Sequence, residues 1–263
     1  MPVDFSTAVA VITGAGSGIG RATARSFAAR GAKVLVSDLD FDRATTVAAE
    51  IGPARATALR CDVTELADLE HARDVALEAY GRVDVVVNNV GVLAVGPAEA
   101  IPLEAWERTI DINLLGIVRS NLVFLPILLE QGSGHIVNTA STAGLLPYGH
   151  DRLPYTATKH AIVGLSEALW LYLRPKGIGV SCLCPAGVAT NIIEQITFYG
   201  DPAPPIGPAF PVILDPDEVG ELVADGVDGD RFLILTAPAA AAEVRELGAD
   251  IDAYLRRQLE APS

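Results

Sequence analysis

Cysteine is scarce in this chain, and so is positive charge. Cys61, Cys182 and Cys184 are the three cysteines among 263 residues. So small and odd a set forms no disulfide framework and has no metal-ligand spacing, which fits a reducing cytoplasm and points to no metal. Cys182 and Cys184 flank one residue and would share one face of a strand. Lysine and arginine number 19 against 33 acidic residues, a net charge of −14. That deficit argues against nucleic acid or an anionic membrane surface as a partner. The N-terminus carries Asp4 and no basic leader, so no signal peptide is expected. No apolar run is read as approaching the roughly 18 residues of a membrane span. Repeats, linkers and a second domain are also missing. Half the residues are apolar and a fifth charged, the composition of a globular protein. The length suits one domain over 1–263 with a large core.

The order of elements predicts an α/β fold. Ala8 to Ile12 is a short apolar run that ends in Thr13-Gly14-Ala15-Gly16-Ser17-Gly18-Ile19-Gly20, and Arg21 to Arg30 reads as a helix. Strand, glycine turn and helix make a context in which backbone N–H groups can hold a pyrophosphate. The spacing through Gly14, Gly18 and Gly20 is G-x-x-x-G-x-G, and a tight turn without ligand would look similar. Lys33 to Ser37 is a second strand with Asp38 at its end. An acidic residue there hydrogen-bonds the adenosine ribose and repels a 2′-phosphate. Neither Ser17 nor Leu39 is basic, so NAD is expected over NADP. Asp38 would also serve as N-cap for a helix over Phe41 to Ile51.

Ala56 to Arg60 is a third strand closed by Cys61-Asp62-Val63, with Thr64 or Asp62 as cap for a helix from Glu65 to Tyr80. Val83 to Val87, rich in β-branched residues, is a fourth, and Asn88-Asn89-Val90-Gly91 turns after it. This alternation predicts a doubly wound parallel sheet of seven strands with helices on both faces and ligand at the strands' carboxyl ends. The remaining strands are His135 to Thr139, Ile178 to Leu183 and Arg231 to Leu235. Helices are expected over Trp106 to Glu130, from Asp215-Pro216, and over Ala239 to Leu259. Asn113 lies among Ile110, Ile112 and Leu114, so it must be satisfied or functional.

Tyr155 and Lys159 share a helical run that ends at Leu173, with Pro154 ahead of it and Pro175 beyond. At i and i+4 they stand on one face, one turn apart. Free tyrosine titrates near 10 and is a poor acid–base group at neutral pH. A fixed positive charge beside it favours the phenolate, so the pair suits proton exchange with an alcohol oxygen. Such pairs also meet by chance in many helices.

Together these stretches resemble the short-chain dehydrogenase/reductase (SDR) family over almost the whole length. Thr13 to Gly20 matches TGxxxGxG, and Asn88 to Gly91 resembles NNAG with Val90 for Ala. Asn113, Ser141 and Tyr155-x-x-x-Lys159 stand where the family has its catalytic residues, with Thr142 competing for the serine position. Pro185 to Thr190 resembles PGxVxT, with Ala186 in place of Gly. The resemblance implies a Rossmann-type fold and a hydride transfer between a nicotinamide and a secondary alcohol or ketone. It implies that Tyr155 exchanges the proton, Lys159 lowers its pKa and binds the nicotinamide ribose, Ser141 holds the substrate oxygen, and Asn113 holds a relay water. By the same resemblance Gly14, Ser17, Gly18, Ile19, Asp38, Leu39, Asp62, Val63, Asn89, Gly91, Pro185, Gly187, Val188 and Thr190 would bind NAD. It also implies a homotetramer or homodimer built through the helices from Trp106 and Tyr155, with Trp170 and Tyr172 suited to that contact.

Leu93, Leu145, Tyr148, Leu153, Ile192, Ile193 and Phe198 are candidate pocket residues, with no arginine or lysine expected among them. They point to a neutral, hydrophobic small molecule, such as a cyclic alcohol, terpenoid or steroid-like compound. The irregular, proline-rich stretch 191–214 is expected to be a mobile lid over that pocket. A non-catalytic dinucleotide sensor on the same fold is the competing reading; it has no use for all four of Asn113, Ser141, Tyr155 and Lys159.

Overall fold

Single strands supply both layers of the core. In β1 (Val9–Thr13), Ala10 and Ile12 face one side and Val11 the other. In β2 (Lys33–Asp38), Val34 and Val36 oppose Leu35, and in β4 (Val85–Asn88), Val85 and Val87 oppose Val86. Strands buried on both faces need apolar residues at every position, which is why these runs do not alternate with polar ones. On one side the layer is closed by α1 (Gly18–Ala29), α2 (Phe41–Ile51) and α7 (Pro216–Asp228), through Phe27, Val47 and Val223. On the other, α3 (Leu66–Tyr80), α5 (Gly116–Gln131) and α6 (Leu153–Leu173) contribute Leu69, Phe124, Leu128 and Leu173.

The computed structural model describes residues 2–147, 149–189, 195–201 and 213–260. With β3 (Ala56–Arg60), β6 (Gly134–Thr139), β7 (Ile178–Cys184) and β9 (Leu233–Leu235), the seven strands run in the order β3-β2-β1-β4-β6-β7-β9, every pair parallel. The chain goes outward one way from β1 to β3 and the other way from β4 to β9. The crevice between β1 and β4 therefore opens at their carboxyl ends. This is the doubly wound, Rossmann-type sheet that the element order predicts.

Four elements differ from expectation. The helix over Trp106 to Glu130 starts earlier, as α4 (Leu103–Ile110), and passes through one π-helical segment, Asp111–Leu115, before α5. The rod from Leu103 to Gln131 is also apolar and long enough by composition to cross a membrane, contrary to the sequence expectation. Here it packs within the domain, with Val123, Phe124 and Leu128 buried in the core. The final helix is broken into α8 (Ala240–Ala249) and α9 (Ile251–Glu260), because Asp250 is extended at φ −156° and turns its carboxylate to cap Ala253 N–H at 3.0 Å. A second sheet joins β5 (Leu93–Val95) and β8 (Ile196–Phe198), parallel, with Leu93 opposite Ile196. Part of the stretch 191–214 is thus a paired strand. Its base is also tied, since Leu214 N–H donates to Gly187 O and Ala189 N–H to Leu214 O, each at 3.0 Å. The rest of the expected lid lies outside the described residues.

Two caps also fall elsewhere. Asp40, not Asp38, caps α2, accepting from Asp42 and Arg43 N–H. Asp62 accepts from Thr64 N–H and Oγ, so it closes a turn, and no side chain caps α3.

Candidate active site

The glycine turn is built to bring backbone close to something. Gly14 and Gly18 hold φ of +63° and +51°, a region that glycine enters without strain. A Cβ on Gly20 would lie 2.1 Å from Gly14 O and 2.7 Å from Asn89 Nδ2, so no side chain fits there. Ser17 begins α1 without a side-chain cap bond. The first N–H groups of a twelve-residue helix are therefore left facing the crevice, a place that suits a pyrophosphate. Asn89 locks the turn to β4, donating from Nδ2 to Gly14 O at 3.2 Å and from its N–H to Thr13 Oγ1 at 3.2 Å. At the end of β2, Asp38 accepts from Gly16 N–H at 2.8 Å and Asp40 N–H at 3.0 Å.

Across the crevice α6 presents Tyr155 and Lys159. Lys159 is buried, and its Nζ donates to Thr139 O at 2.8 Å. Burial pulls its pKa from 10.5 down to about 8, against a smaller upward pull from Cys184 and Cys182. It still carries its charge at neutral pH, 5.3 Å from the Tyr155 ring centroid. Asn113, fully buried in the π-helical segment, clasps the backbone after β4. Its Oδ1 accepts from Val92 N–H at 2.8 Å, and its Nδ2 donates to Val92 O at 3.0 Å and to Thr158 Oγ1 at 3.3 Å. A Cβ on Gly91 would touch both Lys159 Nζ and Asn113 Oδ1, at 3.5 and 3.7 Å. That closeness places the lysine and the asparagine at one small space with no side chain in the way.

Ser141 caps the short 3₁₀ turn Thr142–Gly144 through Ala143 N–H and donates to Pro185 O at 3.4 Å. Thr142, the alternative, is fully buried, and its N–H and Oγ1 both go to Pro185 O. Ser141 stands on the cavity wall and Thr142 does not. Ala186 takes no positive φ, so the turn after β7 does not need the glycine that the family motif has; its N–H donates to Thr236 Oγ1.

One cavity of about 740 Å³ joins these parts. Gly14, Ser17, Gly18, Ile19, Asp38, Leu39, Asp62, Val63, Asn89 and Gly91 line its first half. Ser141, Tyr155, Lys159, Pro185, Gly187 and Val188 line the second. The glycine turn, uncapped helix start and Asp38 fit a dinucleotide. Those residues would hold its diphosphate and adenosine, and Lys159, Gly187 and Val188 stand where its nicotinamide end would lie. When bound it would supply the hydride acceptor or donor.

The substrate end differs more from expectation. Leu93 lines the cavity, but Leu145 packs between two core clusters instead. Phe198 is 61 % exposed and off the cavity wall, whereas Ile196 and Thr197 line it. Leu153 is also off the wall. Tyr148, Thr190, Ile192 and Ile193 lie outside the described residues. The expectation of no arginine at the pocket is corrected: Arg108 and Arg152 line the cavity, and Arg43 lines it at the Asp38 end. Arg152 is held by a two-pronged pair with Asp151, at 2.8 and 3.2 Å, and Arg108 has no partner among the described residues. Arg43 and Arg108 sit in helical stretches read for their apolar period, and Arg152 lies just before α6. Only Arg108, one turn before Ile112, carries a spacing signal that could have found it.

The fold and the site together define a dinucleotide-binding oxidoreductase with a tyrosine–lysine pair facing its cofactor cleft. The short chain dehydrogenase family model matches residues 8–198, and the chain belongs to that family. It is 36 % identical over 240 residues to cyclohexanol dehydrogenase of Acinetobacter sp. (strain SE19), covering 88 % of this chain and 91 % of that protein. It is 40 % identical over 181 residues to galactitol 2-dehydrogenase of Agrobacterium fabrum, covering 68 % and 70 %. A short chain dehydrogenase from Burkholderia phymatum, solved in complex with NAD, superposes with a TM-score of 0.85 at 35 % identity, over 95 % of this chain and 96 % of that one.

Proposed function

We propose that this chain is an NAD-dependent dehydrogenase interconverting a secondary alcohol and a ketone, with a neutral and largely apolar substrate. The observation that carries the reading is the shared cavity: the tyrosine–lysine pair opens into the same space as the glycine turn and Asp38. Tyr155 gives or takes the proton at the substrate oxygen. Lys159, cationic at neutral pH, favours the phenolate and returns the proton. Ser141 Oγ holds the substrate oxygen as its charge changes. Asn113 positions the backbone at Val92 and, by family resemblance, a water beyond Lys159. Asp38 accepts the adenosine ribose hydroxyls. Homo-oligomers in the cytoplasm complete the proposal.

The relatives named for cyclohexanol and, over part of the chain, for galactitol support opposite substrate classes. Leu93 and Ile196 favour the apolar class. Arg152, Gln195 and Thr197 on the same wall favour a second reading, a polyol. A panel of cyclic alcohols and polyols, followed by NADH formation, separates them. Turnover of cyclic alcohols with none of polyols is expected. The reverse replaces the first substrate class by the second, and no turnover on any alcohol or ketone with either dinucleotide speaks for a non-catalytic sensor.

A further inference from the structure

We propose that Arg43 is a second determinant of cofactor choice: an arginine rooted beside Asp38 and able to reach the 2′-phosphate of NADP, whose use is blocked by the charge of Asp38. This rests on the dinucleotide reading of the cleft and extends it. No basic residue stands at Ser17 or Leu39, and from those positions alone NADP would need an engineered arginine. The structure supplies one from the next helix. Arg43 lines the cavity at the same end as Asp38 and Leu39. A Cβ on Gly16 would lie 2.7 Å from Arg43 Cβ and 2.9 Å from Asp38 Oδ2, so the two side chains leave the backbone as immediate neighbours. An arginine stem rooted there can carry its guanidinium around the carboxylate to the space beside the ribose.

The charges around it explain why the arginine does not already decide the matter. Arg43 Nε pairs with Asp40 Oδ2 at 3.3 Å, both side chains being about half exposed. So exposed a pair contributes little, and the same fork can also take a better anion. A phosphate monoester is one, carrying close to two charges and matching the guanidinium fork. Asp38 stands in the way. Its oxygens each accept one backbone N–H and keep lone pairs for ribose hydroxyls, but its charge would face the phosphate directly. Removing that charge alone turns the site toward NADP, without any change at Leu39.

The test is binding, read by quenching and energy transfer on titration with NADH and NADPH. Four proteins are needed: the unaltered chain, Asp38→Asn, Asp38→Ser and Asp38→Ser/Arg43→Ala. Asp38→Asn keeps an acceptor for Gly16 N–H, which guards against loss of the turn. In either single variant NADPH should bind more tightly than NADH. Adding Arg43→Ala should weaken NADPH roughly tenfold to a hundredfold, the range for one charge-assisted contact, and leave NADH nearly unchanged. Equal NADPH affinity with and without Arg43, or no gain of NADPH in both single variants, overturns the proposal. An unaltered chain that already prefers NADPH would sink the NAD reading of Asp38 instead, and Arg43→Ala in that background would still decide the role of Arg43.

Discussion

Lys159 is needed as a cation in a place that disfavours cations. Its burial lowers the pKa to about 8, while in the unfolded chain it titrates near 10.5. Between those values the unfolded state binds more protons than the folded one, so this lysine makes stability rise with pH across that window and opposes folding below it. Lys159→Met should therefore raise the melting temperature at pH 7, and the gain over the unaltered protein should shrink by about pH 10. Thermal melts at both pH values check this; a gap that stays constant would mean the lysine is not buried as described. The neighbouring tyrosine gives the functional counterpart. Tyr155→Phe removes the group that carries the proton and leaves the glycine turn, Asp38 and Lys159 in place. Turnover should fall by at least about a hundredfold, the lower bound for losing a general acid/base, while NADH affinity stays within a factor of a few by titration. Equal turnover in the two proteins would end the assignment of Tyr155.

Catalytic geometry here depends on how closely elements approach each other. The 3₁₀ turn carrying Ser141 meets α6 at Gly144, where a Cβ would lie 2.4 Å from Lys159 O. Gly144→Ala must push the serine turn away from the helix that holds Tyr155 and Lys159. Overpacking of this kind costs about 1–3 kcal/mol, and a shift of even an ångström can lower turnover by about a hundredfold. Both should appear together, as a lower melting temperature and a lower kcat, in a protein that still binds NADH. A lower melting temperature with kcat unchanged would mean that the contact only packs. The strand ends that carry the glycine turn, Asp38 and Asn89 were visible in the sequence. These are local signals: a residue type at a fixed offset from an apolar run. The π-helical segment around Asn113 was not legible, because one shifted turn leaves the apolar period on either side unchanged. Nor was the pairing of Leu93 with Ile196, which joins residues about a hundred apart. Arg43 and Arg152 were hidden for the same reason, since their side chains reach the cavity from helix starts placed by the tertiary fold.

At the scale of the whole molecule, one surface is out of keeping with the charge. Leu115, Leu122 and Leu129 recur every seven residues along the rod from Leu103 to Gln131 and are 39, 66 and 37 % exposed. Leu171 and Tyr172 are exposed on α6 as well. Trp170, expected at the same contact, is half-buried, edge-on to Phe232 and beside Arg174. A heptad-spaced leucine stripe runs along one side of a helix for about 21 Å, long enough for two copies to align by it. Against this, each copy carries a net charge of −14, and copies so charged repel until salt screens them. The proposed oligomer then has two opposing dependences, one on leucine and one on ionic strength. Light scattering should give an oligomer at about 0.15 M salt, where charges are felt over roughly 8 Å, and partial dissociation at about 0.01 M, where they are felt over roughly 30 Å. Leu122→Glu adds a charge to the middle of the stripe and should yield folded monomers at both salts, with circular dichroism unchanged. An assembly of the same mass in all four conditions would place the subunit contact elsewhere on the molecule, and a monomer throughout would leave the stripe without the partner proposed for it.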